Sequence, residues 1–343
     1  MRYASAAGFR RALEDRLRVR AQETGEALMR LRKGIAFQRL LARLLVIAPD
    51  SWILKGGLAL DFRLADRDGP QPRATKDMDL ARADGVEAAD ADFRAVLGVD
   101  LDDFFEFAIE RIEVPEEEDK TAGGASLRYR VTASLASRTF EQVLVDVGLA
   151  PPLVKPELVE APDLLGFAGV APVRVLVLPT SWHIAEKVHA YTRRYGSNEA
   201  PSSRPKDLID IVLFAVHEDF VAGELRRAVR ETFVTRDTHP LPAVLPAPPE
   251  EWAKPYAELA DQVGLDRSLE DGYDRARLFL EPVFNGSLPD AATWEPGAYV
   301  WRTPSDEPSI AGRPITREAA LGMEGAHAIS ELPPDSGPPG DRE

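Results

Sequence analysis

The residues of this chain best suited to chemistry are two aspartates two positions apart. Asp77 and Asp79 alternate with Met78 and Leu80, which is typical of a strand with one polar and one apolar face. Side chains at this spacing project from the same face, so the two carboxylates can share cations. Hard divalent cations such as Mg²⁺ prefer oxygen ligands, and two of them can hold the attacking and leaving oxygens of a phosphoryl transfer. Taken alone, such a pair is more often two surface acids.

A third carboxylate from a neighbouring strand usually completes such a site, and Asp146 is the candidate. In the segment QVLVDVG it interrupts an apolar strand, on the face opposite Val143, Val145 and Val147. A lone acid in that position needs a partner. The alternative is an acid near a strand end that is hydrogen-bonded to a turn.

A pair of glycines lies where a strand gives way to a helix. The apolar run 51–54 stops at Gly56 and Gly57, and helical spacing resumes over 58–64. Backbone N–H groups at a helix start can face an anion, and glycine lets a triphosphate approach without obstruction by a Cβ atom. The glycines are therefore candidate nucleotide-binding residues, although such a turn also favours glycine for conformational reasons. Lys55 either supports the same site or ends the strand in solvent.

A helix that begins near Thr180 carries the candidate phosphate ligand. Lys187 shares one face of this helix with His183 and Arg194, beside an apolar stripe. Its mobile ammonium can follow the charge that develops on a β- or γ-phosphate. The alternative is a solvated helix face, and the histidine is better explained by packing than by metal binding.

The segment RPKDLIDI predicts a second helix with Pro205 in its first turn. Asp207 and Asp210 lie three positions apart and share a face of this helix. Asp207 is the candidate for catalysis near the nucleotide or the acceptor hydroxyl, with Arg204 and Lys206 adding positive charge. Acids in a first turn also complement the helix dipole, which is the more frequent reason for a single aspartate there.

Composition narrows the classes of function. The 343 residues include no cysteine, which excludes disulfides, thiolate zinc sites and cysteine nucleophiles and favours a reducing cytoplasm. A net charge of −15 argues against a non-specific nucleic-acid coat protein. Residues 1–43 nevertheless hold 11 Arg or Lys and 4 Asp or Glu, so a local basic face is possible. Without an apolar run of eighteen residues or a signal peptide, we expect a cytoplasmic protein with no membrane partner.

The hydrophobic periodicity predicts an α+β fold in four parts. These are N-terminal helices (1–48), a mixed β-sheet core (49–179), a helical C-terminal domain (180–302) and a proline-rich disordered tail (303–343). Further strands are predicted around 105–109, 127–131, 143–147 and 173–178, with the acidic loop EEEDKTAGG between the first two. Because 16 of the 28 prolines follow position 239, only short helices are expected there, such as one near 274–280.

The run from about 36 to 80, with AFQRLLARLLV, WILKGGLALDFRL and RATKDMDL, resembles the AbiEii/AbiGii-type toxin nucleotidyltransferases. QVLVDVG, WHIAEKVHAYTRR and RPKDLIDI follow in the family's order, so the resemblance spans roughly 10–235. It implies a DNA-polymerase-β-like nucleotidyltransferase core. It also implies transfer of a nucleoside monophosphate from an NTP to an acceptor, with release of pyrophosphate.

The resemblance assigns expected roles to seven residues: triphosphate contact by Gly56 and Gly57, Mg²⁺ binding by Asp77, Asp79 and Asp146, phosphate binding by Lys187, and catalysis by Asp77, Asp79, Lys187 and Asp207. Several members of the family act on tRNA acceptor ends. The expected function is therefore that of the toxin of a type IV-like toxin–antitoxin system, which uses an NTP and Mg²⁺ to modify tRNA and block translation. We expect the basic N-terminal helices to contact the tRNA and a neighbouring gene to encode the antitoxin, with or without a stable complex.

Two alternatives stay open from the sequence. The same class of enzyme can act on a protein or a small molecule. The strongly acidic composition of the chain beyond residue 43 is the reason for this alternative. A regulatory module that binds nucleotides without turnover is the other alternative, although the presence of every expected acid disfavours it.

Overall fold

The computed structural model describes residues 2–65, 67–113, 126–150, 153–195, 200–202 and 204–305. Met1–Thr303 forms one compact unit and Pro304–Glu343 a second. The described α-helices are α1 Ala6–Thr24, α2 Leu28–Ile47, α3 Gly56–Leu64, α4 Gly85–Ala95, α5 Thr180–Thr192, α6 Pro205–His217, α7 Ala222–Arg236, α8 Ala253–Val263 and α9 Leu269–Phe284. The described strands are β1 Ile53–Lys55, β2 Asp77–Ala81, β3 Phe105–Ile112, β4 Ser126–Leu135, β5 Arg138–Gly148, β6 Glu157–Glu160, β7 Arg174–Val177, β8 Arg194–Tyr195, β9 Ala200–Pro201, β10 Phe220–Val221, β11 Thr293–Glu295 and β12 Val300–Arg302.

A seven-stranded mixed sheet in the order β3-β4-β5-β2-β1-β7-β6 forms the centre of the fold. The pairs β2/β5 and β1/β7 are parallel, and the other neighbours are antiparallel. The α+β class with a mixed sheet is confirmed. The alternation seen in the sequence corresponds to the two faces of β2, because Met78 and Leu80 are fully buried whereas Asp77 and Asp79 are only partly buried.

The two N-terminal helices cover the apolar face of this sheet. Leucines of α1 and α2 pack in one hydrophobic cluster with Val143, Val145 and Val147 of β5. Full burial of a leucine side chain contributes about 2 kcal/mol, so this stripe stabilises the sheet substantially. Helix α1 begins after Ser5, whose hydroxyl accepts a 3.2 Å hydrogen bond from the Gly8 N–H, so the predicted helices are confirmed.

Much of the positive charge of the N-terminal helices is used inside the protein. Asp103 is fully buried and accepts hydrogen bonds from Arg39 at 2.7 Å and from Arg43 at 2.8 and 3.0 Å. Arg10 donates to the backbone carbonyls of three residues in and beside the β4–β5 turn, and Arg30 donates to Asp61 at 3.0 Å. The basic face available to a partner is therefore smaller than the residue count suggests.

A second hydrophobic cluster joins α5, α6, α7, α8 and α9 with the small sheet of β10, β11 and β12. Trp294 of β11 anchors that sheet, since its indole N–H donates to the Ala215 carbonyl of α6 at 2.8 Å. The prediction of short helices after position 239 was wrong, because α9 has 16 residues. Pro255 lies in the first turn of α8, where proline is tolerated, and Pro282 lies inside α9, which continues past it to Phe284.

The predicted boundaries near 48 and 179 lie within the compact unit Met1–Thr303 and stay a prediction. The predicted acidic loop over 116–124 and the predicted tail from residue 306 onward lie outside the described residues. Among the helices that the structure describes, none is both long and apolar enough to cross a membrane.

Candidate active site

A row of charged side chains crosses four neighbouring strands on the polar face of the sheet. Lys55 of β1 is in register with Asp79 of β2, Asp79 with Asp146 of β5, and Asp146 with Arg128 of β4. Residues in register on adjacent strands project from the same face. Asp77 precedes Asp79 by two positions and shares that face. The structure therefore brings the three carboxylates named from the sequence to one side of the sheet.

The turn from β1 into α3 lies directly over this row. Gly56 has a φ of +65°, and a Cβ atom built on it would lie 1.8 Å from Oδ2 of Asp79. A Cβ atom on Gly57 would lie 2.9 Å from Oγ1 of Thr75. Only glycine allows this backbone to approach the carboxylate so closely. The start of α3, whose first N–H groups have no acceptor within the helix, is thus held beside Asp79.

The environment of Asp79 leaves its charge incompletely compensated. Burial raises its pKa, Lys55 and Lys187 lower it, and Asp146 raises it again, with a net increase above the ordinary value. Two carboxylates on adjacent strands repel each other when both are ionised. Such a pair favours the approach of a cation.

The donor set suits a divalent cation in chemistry and register, but its side chains are not arranged as a metal site. Arg128 donates to both oxygens of Asp146, at 2.6 and 3.0 Å. Within the described ranges, no group of three or more His, Cys, Asp or Glu side chains is placed to hold a metal ion. Arg128 thus pairs with the carboxylate that the sequence predicted as the third Mg²⁺ ligand, beside Asp77 and Asp79.

Lys187 lies in a buried ionic network between α5 and α6. Its ammonium is 2.7 Å from Oδ2 of Asp210 and 3.4 Å from Oδ1 of Asp207, and both acids are fully buried. Asp210 also accepts hydrogen bonds from Arg73 at 3.0 and 3.1 Å. The acid with the shorter contact to Lys187 is thus Asp210, and not Asp207, to which the sequence assigned the functional role.

The charges of this network stabilise one another. Burial alone would raise the pKa of Asp210, but Lys187 and Arg73 lower it to about 2. Burial alone would lower the pKa of Lys187, but Asp210 and Asp207 outweigh that effect and raise it. At neutral pH Lys187 is therefore a cation and Asp210 an anion.

Asp207 has one oxygen that is incompletely satisfied. Arg204 places Nε 2.8 Å from its Oδ2, but that contact lacks hydrogen-bond geometry, and among the described residues this buried oxygen accepts no hydrogen bond. The burial of Asp207 also keeps it from solvent. An acceptor hydroxyl cannot reach it in this arrangement, so the structure favours a positioning role for Asp207 over contact with substrate.

Lys55 belongs to the site and does not end its strand in solvent. Its ammonium is half-buried and 3.4 Å from Oε1 of Glu186, which also accepts a hydrogen bond from Arg236 at 2.9 Å. Burial would raise the pKa of Glu186, but Lys55 and Arg236 lower it to about 2. Glu186 therefore holds Lys55 at the end of the charged row.

The predicted cationic face of the Lys187 helix was wrong in two of its three members. Helix α5 ends at Thr192, so Arg194 lies beyond it on β8. His183 is fully buried against Phe214, and neither of its ring nitrogens has a hydrogen-bond partner in the part of the chain described. Packing explains the histidine, as the alternative interpretation held.

The sequence reasoning did not identify Arg73, Arg128 or Glu186 as parts of the site. Arg73 precedes Asp77 by four positions in RATKDMDL, and Glu186 adjoins Lys187, so proximity in the chain was a usable signal for both. Arg128 gives no such signal, because only the register between β4 and β5 places it opposite Asp146.

The family described as "Nucleotidyl transferase AbiEii toxin, Type IV TA system" matches residues 39–294. The chain belongs to this family. The match includes every residue of the charged row and of the Lys187 network, so the expected AbiEii family membership is confirmed. AbiEii proteins are nucleotidyltransferase toxins of type IV toxin–antitoxin systems.

Two solved structures are similar to the chain at low identity. MenT4, a nucleotidyltransferase toxin from Mycobacterium tuberculosis H37Rv, is 19% identical with a TM-score of 0.48, over 79% of this chain and 97% of that one. JHP933 from Helicobacter pylori is 11% identical with a TM-score of 0.40, over 74% and 93%. No curated protein matches the chain. The AbiEii assignment therefore depends on the family match alone.

Replacement of Gly56 by alanine tests the close approach of the β1–α3 turn to Asp79. The backbone would hold alanine in a left-handed conformation, and the Cβ atom would displace the Asp79 carboxylate. We therefore expect the free energy of unfolding to fall by about 2 kcal/mol or more. Urea unfolding measures this change. Gly98→Ala is the matched control, because no atom lies within 4 Å of its added Cβ. Equal stability of the two variants would contradict the described geometry.

Replacement of Asp210 by asparagine tests the buried network. At pH 7 we expect a loss of about 1.5–3 kcal/mol of unfolding free energy, because Lys187 and Arg73 lose their shared anion. The folded pKa of about 2 lies below the ordinary value of 3.8, so the contribution of this carboxylate is present above pH 4 and is lost as the pH falls toward 2. As the pH is lowered toward 2, the unfolding free energy of Asp210→Asn, measured by urea unfolding, should therefore decrease less than that of the wild type.

The exposed Asp219→Asn variant is the control for the Asp210 experiment. It should keep the stability of the wild type and its dependence on acid. If Asp210→Asn also behaved like the wild type, Asp210 would not be the anchor of Lys187.

Proposed function

We propose that this protein transfers a nucleoside monophosphate from an NTP to the acceptor end of a tRNA, requires Mg²⁺ and thereby blocks translation as the toxin of its system. The observation that carries the proposal is the convergence of three carboxylates and Lys187 beside the glycine start of α3, in a chain of the AbiEii family. The resemblance of the sequence supports the tRNA acceptor and an antitoxin partner.

The nucleotide is bound through its phosphates at the start of α3. The N–H groups after Gly56 and Gly57 have no acceptor within α3 and lie at the positive end of its dipole, where phosphate oxygens are favoured. Lys187 supplies a full positive charge, which Asp207 and Asp210 hold in place. Two of its three N–H groups face these acids, and the third is left for a phosphate oxygen.

Further cations surround this phosphate position. The Arg73 guanidinium is 3.6 Å from the position of a Cβ atom on Gly57, so it lies beside the helix start. Lys206 is partly buried, and burial together with its neighbours Arg204 and Arg73 lowers its pKa. A polyanion relieves the repulsion among these cations. The site therefore favours a triphosphate over a neutral ligand.

In the transfer, a hydroxyl oxygen of the acceptor forms a bond to the α-phosphorus, and the bond from that phosphorus to the bridging oxygen of pyrophosphate breaks. The hydroxyl proton passes to solvent. Lys187 stabilises the negative charge that accumulates on the leaving pyrophosphate, so positioning and electrostatics supply most of the catalysis. Asp207 and Asp210 act through Lys187 and are positioning residues.

Asp77, Asp79 and Asp146 are the residues that would hold Mg²⁺. The cation supplies charge neutralisation to the phosphates when bound. Asp146 shares its negative charge with Arg128, whereas among the described residues Asp77 and Asp79 form no ion pair.

The RNA acceptor approaches a protein of net charge −15, so its contacts must be local. Of the basic residues in the N-terminal helices, Arg11, Arg16 and Arg18 are exposed, whereas Arg39 and Arg43 are committed to Asp103. Of the basic residues that we expect to contact the tRNA, these exposed arginines are accessible on the surface. Lys76, exposed next to Asp77, adds positive charge at the site itself.

Incubation with Mg²⁺, labelled NTPs and total tRNA tests the proposed reaction. We expect labelled tRNA with the wild type, no label in the presence of a chelator, and at least about a 10³-fold lower rate for Asp79→Asn and Lys187→Gln. Both replacements keep the side-chain volume close to the original, and glutamine keeps donors toward Asp210. Asp68→Asn and Lys254→Gln, at exposed positions, are matched controls that should keep full activity.

Absence of labelled RNA with all four NTPs would contradict the proposed acceptor. Label in protein or in a small molecule instead would identify the alternative acceptor of the same enzyme class. Binding of an NTP without transfer to any acceptor would favour the regulatory module.

A further inference from the structure

The ion pair between Arg128 and Asp146 joins the edge of the candidate site to its third carboxylate. The two residues face each other directly across β4 and β5, and the guanidinium contacts both carboxylate oxygens through Nε and Nη2. About a quarter of each side chain is exposed, so the pair is partly shielded from solvent. A two-point contact of this kind is stronger and more specific than an ordinary surface ion pair.

The order of the charged side chains across the strands indicates the role of Arg128. Arg128 and Lys55 flank Asp146 and Asp79, so that two cations enclose two like-charged carboxylates. Without a divalent cation, the repulsion between Asp79 and Asp146 is offset only by such side chains. Arg128 thus gives Asp146 the neutralisation that a metal ion would otherwise give.

A divalent cation and the Arg128 guanidinium would share the negative charge of Asp146 and oppose each other there. Mg²⁺ binds a carboxylate oxygen at about 2.0–2.1 Å, and both oxygens of Asp146 already accept hydrogen bonds within 3.0 Å. A doubly charged ion placed there would lie a few ångströms from the positive guanidinium and would be repelled by it.

We propose that Arg128 is a positioning residue that competes with the divalent cation for Asp146. With Arg128 in place, Asp146 is held on the polar face and the cation site lacks its third ligand. The guanidinium repels a cation that approaches Asp146, so Arg128 weakens the affinity of the free protein for the metal. The inference depends on the proposed function in one respect, because it takes Asp77, Asp79 and Asp146 as the cation ligands.

Titration with Mn²⁺ alone, followed by electron paramagnetic resonance without NTP or RNA, tests this competition. We expect Arg128→Gln to bind Mn²⁺ about tenfold more tightly than the wild type, because Asp146 is released. Arg130→Gln is the matched control. Arg130 lies on the same strand and face, but it pairs with the exposed Glu110, so its affinity should stay that of the wild type.

A merely structural role for Arg128 would give the opposite result, since damage to the site lowers metal affinity. Unchanged or weaker Mn²⁺ binding by Arg128→Gln would overturn the proposal. It would also be overturned if Arg128→Gln raised the Mn²⁺ affinity by the same factor in a protein that already carries Asp146→Asn. Arg128→Lys keeps the charge but loses the two-point contact and should fall between wild type and Arg128→Gln. It serves as the second variant if glutamine prevents folding.

The outcomes for this inference and for the proposed function are separate. Tighter Mn²⁺ binding without any nucleotide transfer would support the competition and contradict the enzyme activity. Nucleotide transfer with unchanged Mn²⁺ affinity in Arg128→Gln would support the enzyme and overturn the competition.

Discussion

The constraint on which this structure depends is the placement of two carboxylates side by side on adjacent parallel strands. Asp79 and Asp146 are in register at the centre of the sheet, where each would repel the other. The neighbouring strands contribute a cation on either side, Lys55 and Arg128. Gly56 brings the start of a helix close to Asp79. A fold made only for stability has no reason to assemble like charges there, so the pair is the clearest sign of a functional site.

The buried network around Lys187 connects this face to the helical part of the chain. Asp210 accepts hydrogen bonds from Lys187 of α5 and from Arg73 in the segment before β2. One carboxylate thus connects parts of the fold that are far apart in sequence. The same contact keeps the lysine charged in a buried position, since its acids outweigh the effect of burial on its pKa. The residues that stabilise this contact are therefore also the ones to which we assign a function in the proposal. Replacements in the network must keep hydrogen-bond partners if they are to report on catalysis rather than folding.

Hydrophobic alternation was sufficient to predict the strands and the α+β class, because a half-buried strand must have one apolar face, as β2 does at Met78 and Leu80. The convergence of Asp77, Asp79 and Asp146 followed from the same reasoning about faces. The ion pairs were not predictable, because the contact of Arg128 with Asp146 depends on the register of β4 against β5, which no local pattern specifies. Proline density was misleading after position 239, because Pro255 lies in the first turn of α8, where proline is tolerated, and α9 continues through Pro282 near its end.

The central claim is that Asp79 and Asp146 repel each other until a cation joins them. A double-mutant cycle of Asp79→Asn and Asp146→Asn, measured by urea unfolding at pH 8 with a chelator present, tests it most directly. We predict that the interaction between the two carboxylates destabilises the wild type by about 1 kcal/mol without Mg²⁺. In saturating Mg²⁺ the same interaction should stabilise it. Additive effects under both conditions, or a favourable coupling without Mg²⁺, would contradict the account.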